Sequence, residues 1–360
     1  MAAVLRGDMV VRGTAVIDLR SDTVTQPTTE MWKAMAEAEL GDDTLGDRSS
    51  VTRLEEEAAE ILGKEAALFV PSGMMANSLA LRVFLRPGDW LACVRGAHIV
   101  LSGLAGFVGV TAREVSAPEG HMAEDELRAE LQSGFGPYRM LCLENTYNYG
   151  GGVAMSATET ARLADVARRR GLWVYIDGAR IFNAAVAVGE PVARLAEPAD
   201  AVMFCLSKGL SAPAGSVLAG SRDFVREARE LRHLLGGSMR QAGILAAAGL
   251  VALRTMPARL AEDHARARQL AEGLAELPFV RLSLPPHRVD TNIVFFEVLP
   301  PLEAGQFVAR LAEEGVLCLC LGGRVRMVTH RHIGAADVEA ALAAVRRVGW
   351  PWWREQGGTG

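Results

Sequence analysis

Two apolar segments near the middle of the chain each end in one ionisable residue, Asp177 after residues 173–176 and Lys208 after residues 201–206. Both segments have the length and composition of buried strands. An interval of about thirty residues is typical of two parallel strands joined by a crossover. We therefore expect both side chains to reach one crevice at the strand ends, where open α/β sheets bind ligands.

These two residue types together indicate a particular chemistry. A lysine that is partly withdrawn from water can attack an aldehyde, and an aspartate beside a pyridine nitrogen keeps that nitrogen protonated. Lys208 and Asp177 in one crevice therefore describe a site for pyridoxal 5'-phosphate (PLP), a cofactor that stabilises a carbanion at a substrate Cα. The alternative for Asp177 is a helix cap that follows a strand.

A phosphate site is expected at the turn Pro71-Ser72-Gly73-Met74. The backbone N–H groups of Gly73 and Met74 would lie at a helix N-terminus, which is a ready anion site, and Gly73 would allow close approach. Ser207 could donate its hydroxyl to the same phosphate. Turns of this kind are common, so the assignment depends on the Asp177–Lys208 pair.

Four further residues could contact the cofactor or the substrate. His98 could stack on the cofactor ring or be an ordinary buried histidine. Arg180 could reach the ring oxygen or a substrate carboxylate, or form a surface ion pair. Arg326, in an apolar strand, needs an anion such as a substrate α-carboxylate. Arg240 follows a flexible turn and could reach a phosphate, even in a neighbouring subunit, or be a surface residue.

The elements around these residues alternate between strand and helix, which predicts an α/β fold with a mostly parallel sheet covered on both faces. One helix is expected over residues 98–109, and a long helical segment from Ser221 towards Leu253. The later strands and helices predict a smaller α+β unit. The predicted division is a disordered leader (1–16), a large cofactor-binding domain (17–250), a small C-terminal domain (251–348) and a tail (349–360).

Composition argues against several functional classes. The 360 residues carry a net charge of −5 and scattered positive charges, so we expect no nucleic-acid binding. No apolar run of about 18 residues appears, so no membrane span is expected. The five cysteines form no CxxC pair and predict reduced thiols in a cytoplasmic protein. No His/Cys/Asp cluster has metal-ligand spacing, so no metal site is expected.

Several blocks together carry a family resemblance over residues 17 to about 330. The chain resembles the low-specificity L-threonine aldolases, PLP enzymes of the aspartate-aminotransferase-like fold (fold type I) within the beta-eliminating lyase/threonine aldolase superfamily. The matching blocks are Ile17-Asp18-Leu19-Arg20-Ser21-Asp22-Thr23-Val24-Thr25, Gly41-Asp42-Asp43, Phe69-Val70-Pro71-Ser72-Gly73, Leu143-Glu144-Asn145-Thr146, Asp177-Gly178-Ala179-Arg180, Leu206-Ser207-Lys208-Gly209-Leu210 and Met239-Arg240-Gln241-Ala242-Gly243.

The resemblance implies a seven-stranded sheet in the large domain and a homotetramer built from dimers whose active sites lie at the subunit interface. It implies that Lys208 bonds the cofactor and that Asp177 pairs with the ring nitrogen, with His98 stacked on the ring. It also implies that Ser21, Arg180 and Arg326 hold the substrate carboxylate.

The chain departs from the family pattern at several positions. Tyr147 stands where the family's Asn-Thr-His-Asn motif has a histidine that is thought to contact the substrate β-hydroxyl. Met74 replaces a threonine whose hydroxyl helps to hold the phosphate, and Leu45 replaces a tyrosine of the substrate pocket. The aromatic and acidic residues that usually follow His98 are also absent. These departures predict retained cofactor chemistry with an altered substrate preference or a slower rate.

The predicted reaction is cleavage of L-threonine, L-allo-threonine or a related β-hydroxy-α-amino acid to glycine and an aldehyde. His98, acting through a water, is favoured as the base for the β-hydroxyl proton, because a phenol is a poor base at neutral pH, and Tyr147 is expected to position the substrate. The alternatives are β-elimination, transamination and a PLP-binding homologue with low activity. A metal-dependent D-specific aldolase lacks a ligand set.

Overall fold

The computed structural model describes residues 10–11, 14–117, 120–133, 136–300 and 302–355. The chain divides into two compact units, one formed by Thr25–Leu260 and the other by Met1–Val24 together with Ala261–Gly360.

The described strands are short, and most have five residues or fewer. In chain order they are β1 Val10–Val11, β2 Thr14–Ala15, β3 Ile17–Asp18, β4 Ala66–Val70, β5 Trp90–Val94, β6 Thr111–Val115, β7 Tyr138–Glu144, β8 Trp173–Asp177, β9 Ala201–Cys205, β10 Ser216–Gly220, β11 Val280–Leu282, β12 Ile293–Val298, β13 Val316–Leu317, β14 Leu319–Leu321 and β15 Arg324–Val328.

The described α-helices alternate with these strands in the first three-quarters of the chain. In chain order they are α1 Thr29–Ala36, α2 Ser50–Leu62, α3 Gly73–Phe84, α4 His98–Leu101, α5 Leu104–Val108, α6 Glu124–Ser133, α7 Ala157–Arg168, α8 Ile181–Val188, α9 Val192–Ala196, α10 Arg222–Leu234, α11 Gly243–Thr255, α12 Leu260–Ala275, α13 Ala304–Glu313 and α14 Ala335–Glu355.

Seven strands of the larger unit form one sheet in the order β4-β10-β9-β8-β7-β5-β6. The neighbours from β9 to β6 pair in parallel, and only β10 runs antiparallel to its neighbours β4 and β9. Every residue of β9 and β10 is buried, because helices cover both faces of the sheet. The predicted α/β class with a mostly parallel seven-stranded sheet is confirmed, although β10 itself had not been predicted from its sequence.

Two predicted helices are each divided in the structure. The helix expected over 98–109 is broken at Gly103, whose φ of +73° is left-handed, so α4 and α5 are separate short helices. The segment expected from Ser221 towards Leu253 is broken between α10 and α11, where Gly236 has a φ of +75°. In both places an apolar pattern continues while the backbone turns at a glycine.

The smaller unit contains an antiparallel sheet of order β11-β12-β15-β14, packed with α12, α13 and α14 around a second apolar core. The residues of this unit differ from the predicted range 251–348, because residues 17–24 also belong to it. The reason is that β3 pairs in parallel with β13, Ile17 opposite Val316. The C-terminal limit of the larger unit is Leu260, about ten residues beyond the predicted one.

Both predicted chain ends include secondary structure. Within the expected leader, β1 and β2 pair as antiparallel strands, while residues 1–9 and 12–13 lie outside the described residues. At the other end, α14 continues to Glu355 through Pro351, so the described part of the expected tail is helical. Trp350 packs on Phe279 with ring centroids 5.6 Å apart, so this aromatic end of the chain lies against the smaller unit.

All five cysteines are free thiols, as expected. Four are buried and one, Cys320, is exposed. Burial raises the pKa of the Cys318 thiol to about 12, so it stays protonated and unreactive.

No single helix within the described ranges is long and apolar enough to cross a bilayer. In the same ranges, one bent pair, Gly243–Thr255 with Pro257–Ala275, has the length and apolar composition of a membrane span when its two segments are taken together.

Candidate active site

The carboxyl ends of β7, β8 and β9 meet at one edge of the seven-stranded sheet. In the register, Glu144 at the end of β7 lies opposite Asp177 at the end of β8, and Asp177 lies opposite Met203 of β9. Lys208 follows β9 by three residues. The structure therefore places Asp177 and Lys208 on neighbouring strand ends, as the apolar segments predicted.

Asp177 is buried and held in a defined orientation. Only 2 % of the residue is exposed to solvent. Asn77 donates its Nδ2–H to Oδ2 at 2.8 Å, and the N–H of Ala179 donates to Oδ1 at 3.2 Å. Tyr175 in turn donates its hydroxyl to Asn77 Oδ1 at 2.6 Å. The alternative of a helix cap does not apply, because the N-cap of α8 is Arg180.

His98 is the first residue of α4 and lies beside this carboxylate. Its Nδ1 is 4.0 Å from Asp177 Oδ2, and 44 % of its side chain remains exposed. Burial of the ring lowers the pKa of His98 from its ordinary value of 6.5, against the opposing effect of the Asp177 charge. His98 is therefore neutral near pH 7 and can accept a proton.

The backbone around Lys208 is fixed by a tight turn. The Lys208 carbonyl accepts hydrogen bonds from the Ser211 N–H at 2.8 Å and from Thr25 Oγ1 at 3.0 Å. Gly215, with a φ of +98°, brings the chain back into β10, where any Cβ would lie 2.4 Å from the Phe69 ring. Lys208 itself is half-buried, so its amine remains within reach of a ligand in the crevice.

The predicted phosphate turn lies at the start of α3. Ser72 is the N-cap and accepts from the Met75 N–H at 3.2 Å, which leaves the first two N–H groups of α3, on Gly73 and Met74, without intrahelical partners. A Cβ on Gly73 would lie 2.9 Å from Cys205 Sγ. Nearby, the buried Ser216 hydroxyl has no hydrogen-bond partner within the described residues. An incoming phosphate oxygen would satisfy all three groups.

The two arginines predicted for the cofactor differ in environment. Arg180 is only 7 % exposed, which argues against a surface ion pair, and its charge lowers the pKa of His98 in the same way as Lys208 does. Arg240 is largely exposed and donates to Asp42 Oδ2 at 2.8 Å, with a second bond to the Thr44 hydroxyl. Its phosphate role stays a prediction.

The predicted carboxylate site lies in the smaller unit. Arg326 is 8 % exposed and donates its Nη2–H to the Arg20 carbonyl at 3.0 Å, immediately before Ser21. Ser21 Oγ accepts from the Thr23 N–H at 3.2 Å. The fold thus brings together two residues that lie at opposite ends of the sequence, while their contact with a substrate stays a prediction.

Residues 18–299 match the model of the beta-eliminating lyase family. The chain belongs to this family. It is 40 % identical to low-specificity L-threonine aldolase 1 of Arabidopsis thaliana, covering 94 % of this chain and 97 % of the relative. It is 39 % identical to the low specificity L-threonine aldolase of Escherichia coli K12, covering 79 % and 85 %.

A solved structure shows the same fold. The Leishmania major threonine aldolase superimposes with a TM-score of 0.79 at 18 % identity, covering 92 % of this chain and 99 % of that one. At this identity the likeness concerns the fold alone. It agrees with the expected fold type I.

Tyr147, the main departure from the family pattern, is a buried residue. It is 8 % exposed, and its hydroxyl donates to the Arg95 carbonyl at 2.5 Å. The ring lies against Gly150, where a Cβ would be 2.2 Å from Cδ1. Because its proton is used by the main chain, Tyr147 ties together the turns that precede His98 and follow β7. Its role toward a substrate stays a prediction.

The other departures have different surroundings. Met74 is 40 % exposed and Leu45 is 76 % exposed. The thioether of Met74 has no hydrogen to donate, so this residue offers only its backbone N–H at the phosphate turn. Within the described ranges no group of three or more His, Cys, Asp or Glu residues could hold a metal ion.

Sequence reasoning assigned no role to two residues of this site. Asn77 orients Asp177, and no local pattern could reveal a partner one hundred residues away. Glu144 has the same sequence signal as Asp177, an acidic residue at the end of an apolar strand, and could have been found by it.

Proposed function

We propose that this protein is a PLP-dependent aldehyde-lyase that cleaves L-threonine, L-allo-threonine and related β-hydroxy-α-amino acids to glycine and an aldehyde. The observation that carries the proposal is the placement of Lys208 and Asp177 at the same sheet edge, in a chain 40 % identical over nearly its whole length to a low-specificity L-threonine aldolase. β-Elimination and transamination remain as outcomes of the test below.

The residues present fit PLP. Three groups near the start of α3 lack partners that a phosphate would supply, the N–H groups of Gly73 and Met74 and the Ser216 hydroxyl. In the bound state the phosphate would contact this turn and Ser207, and the ring nitrogen would contact Asp177. Arg180 would contact the ring oxygen and His98 the ring face. Lys208 would bond the aldehyde carbon.

When bound, PLP supplies an electron sink for the pair released as the Cα–Cβ bond breaks. The protein contributes binding and proton transfer. Ser21 and Arg326 would hold the substrate α-carboxylate through charge-assisted hydrogen bonds. His98, neutral because burial lowers its pKa, would take the β-hydroxyl proton through a water, so that the Cβ–O group leaves as an aldehyde carbonyl. Cα takes up one proton in place of Cβ, which balances the proton taken from the β-hydroxyl, and glycine remains.

Product analysis with L-threonine tests the proposal. We expect the PLP-loaded protein to release acetaldehyde and glycine in equal amounts, with L-allo-threonine and L-phenylserine also cleaved. The same protein stripped of PLP is the control and should release neither product. Formation of 2-oxobutanoate instead would indicate β-elimination, and formation of 3-hydroxy-2-oxobutanoate would indicate transamination. A visible cofactor band without aldehyde release would indicate a PLP-binding homologue.

We also propose that the protein is a cytoplasmic homotetramer. An apolar surface supports the assembly: the 39–45 loop lies against residues 240–243, and the exposed leucine and isoleucine side chains on and around these segments are Leu40, Leu45, Leu234, Leu235 and Ile244. The five free thiols are consistent with a reducing compartment. Light scattering should give the mass of four chains at micromolar concentration; a mass of one chain would contradict the tetramer.

A further inference from the structure

Glu144 is a buried carboxylate that the proposed chemistry does not use. It ends β7 beside Asp177 and is 7 % exposed. Both of its oxygens accept backbone hydrogen bonds, Oε2 from the His98 N–H at 2.7 Å and Oε1 from the Asn148 N–H at 2.9 Å. A buried carboxylate that accepts two such bonds fixes the backbone segments that contain the two amides.

The His98 amide belongs to a helix with little support of its own. α4 has only four residues, and its N-cap, Ala97, offers no side-chain acceptor. Glu144, at the end of β7, supplies that acceptor, and its negative charge faces the N-terminus of α4. The bond therefore fixes the first turn of α4, from which the His98 imidazole projects toward Asp177.

Two further contacts join the same two turns, and a third holds the turn before His98 to β6. Tyr147 donates to the Arg95 carbonyl, and the Tyr149 ring lies under Gly96, where a Cβ would be 2.8 Å from Cδ1. On the outer side, the Gly96 N–H donates to Glu114 on β6. Of these contacts only the Glu144 bond reaches the backbone of His98 itself.

We propose that Glu144 is the positioning residue for His98: its carboxylate holds the start of α4, and with it the imidazole, beside the end of β8. The inference rests on the proposed aldolase function, in which His98 takes the substrate proton. A displacement of about 1 Å at such a group costs about 10²-fold in rate, so the hold on this turn matters for catalysis.

The hold depends on pH. The ionisable groups around Glu144, from every element packed against it, are Asp177, His98, Lys208, Cys93, Cys142, Tyr147 and His121. Burial and then the charge of Asp177 raise the pKa of Glu144 to about 7, while the two backbone bonds and Lys208 act in the opposite direction. As the pH falls through this value, one carboxylate oxygen of Glu144 becomes protonated. Its O–H then faces a backbone N–H, which is also a donor, so the hydrogen bonds that fix the start of α4 weaken.

The test compares Glu144→Gln with Glu114→Gln, since Glu114 accepts an amide from the same turn without facing the site. A glutamine at 144 has one oxygen and one NH₂, so it can keep only one of the two bonds. We expect kcat for L-threonine to fall about 10- to 100-fold with a smaller change in KM. The acidic limb of kcat should move to lower pH, where only His98 titrates. Glu114→Gln should stay within about twofold of the parent protein.

Backbone amide exchange gives a readout that needs no turnover. In the PLP-loaded protein, Glu144→Gln should accelerate exchange in the peptide that contains His98 and leave the peptides of β8 and β9 unchanged. Parent-like exchange and kcat in this variant would overturn the proposal, as would an equal loss in Glu114→Gln. A parent protein that releases no aldehyde would instead refute the aldolase function, while the exchange result would still decide whether Glu144 holds His98.

A second variant covers the case in which Glu144→Gln does not fold. Glu144→Asp retains the negative charge, but its side chain is shorter by one C–C bond. This variant therefore distinguishes the effect of the charge from that of direct hydrogen bonding to the two backbone amides. We expect the same local exchange increase and a similar loss of kcat. Parent-like kcat in Glu144→Asp would show that the charge alone suffices and would reject positioning by direct hydrogen bonds.

Discussion

Replacing Lys208 with alanine should abolish both covalent cofactor binding and aldehyde release, with a fall in kcat/KM of about 10³-fold or more. The reason is that Lys208 follows β9 by three residues at the sheet edge where Asp177 ends β8. The sequence contains only three lysines, Lys33, Lys64 and Lys208, so the attachment site can be identified without ambiguity. Borohydride reduction of the PLP-loaded parent protein, followed by peptide mapping, should label Lys208 alone.

Lys64→Ala is the matched control. Lys64 is also half-buried, and burial lowers its own pKa, which would favour attack on an aldehyde. Its Nζ, however, donates to the Ala199 carbonyl at 2.6 Å, just before β9 begins and therefore at the opposite end of that strand. We expect this variant to retain its visible cofactor band and its activity. Label on Lys64, or a normal band in Lys208→Ala, would refute the assignment of the cofactor lysine.

Replacing His98 with asparagine should lower kcat/KM by about 10²- to 10³-fold at saturating PLP, because asparagine cannot take the β-hydroxyl proton. Retro-aldol rates with L-threonine measure the effect. The cofactor absorbance, recorded in the same samples, distinguishes a lost base from a lost cofactor.

Tyr147→Phe is the comparison that separates the two candidate groups. The phenol donates to the Arg95 carbonyl, so its removal costs one neutral hydrogen bond of about 1 kcal/mol and should lower the rate by no more than about tenfold. If the tyrosine variant lost more activity than the histidine variant, the proton-transfer role would belong to Tyr147, and the order argued here would be reversed.

The central site residues could be predicted because their signals are local. An apolar strand that ends in one charge, a glycine before a helix, and the alternation of strands and helices are all visible within short windows. They were sufficient to place Asp177 and Lys208 at one edge of the sheet and Gly73 at the start of a helix, while the roles of these residues toward a cofactor stay predictions. The strand β10 escaped the same reasoning, since Ser216–Gly220 contains small residues and follows a loop without a helix.

Other features depend on contacts between distant parts of the chain. The assignment of residues 17–24 to the smaller unit follows from the pairing of β3 with β13, about three hundred residues later. The bond between Asn77 and Asp177 crosses from a helix to a strand end, and the orientation of Tyr147 toward Arg95 connects two separate turns. In each case the partner is chosen by three-dimensional proximity, for which neither periodicity nor composition carries a signal.

The amino-acid sequence by itself determined the class of fold, the family and the residues able to bond an aldehyde and pair with a ring nitrogen. These properties depend on residue type and short spacing. Only the tertiary structure decided that Tyr147 donates to the main chain, that Arg240 pairs with Asp42, and that Glu144 holds His98. The physical reason is that a side chain's role depends on which donors and acceptors surround it once it is buried.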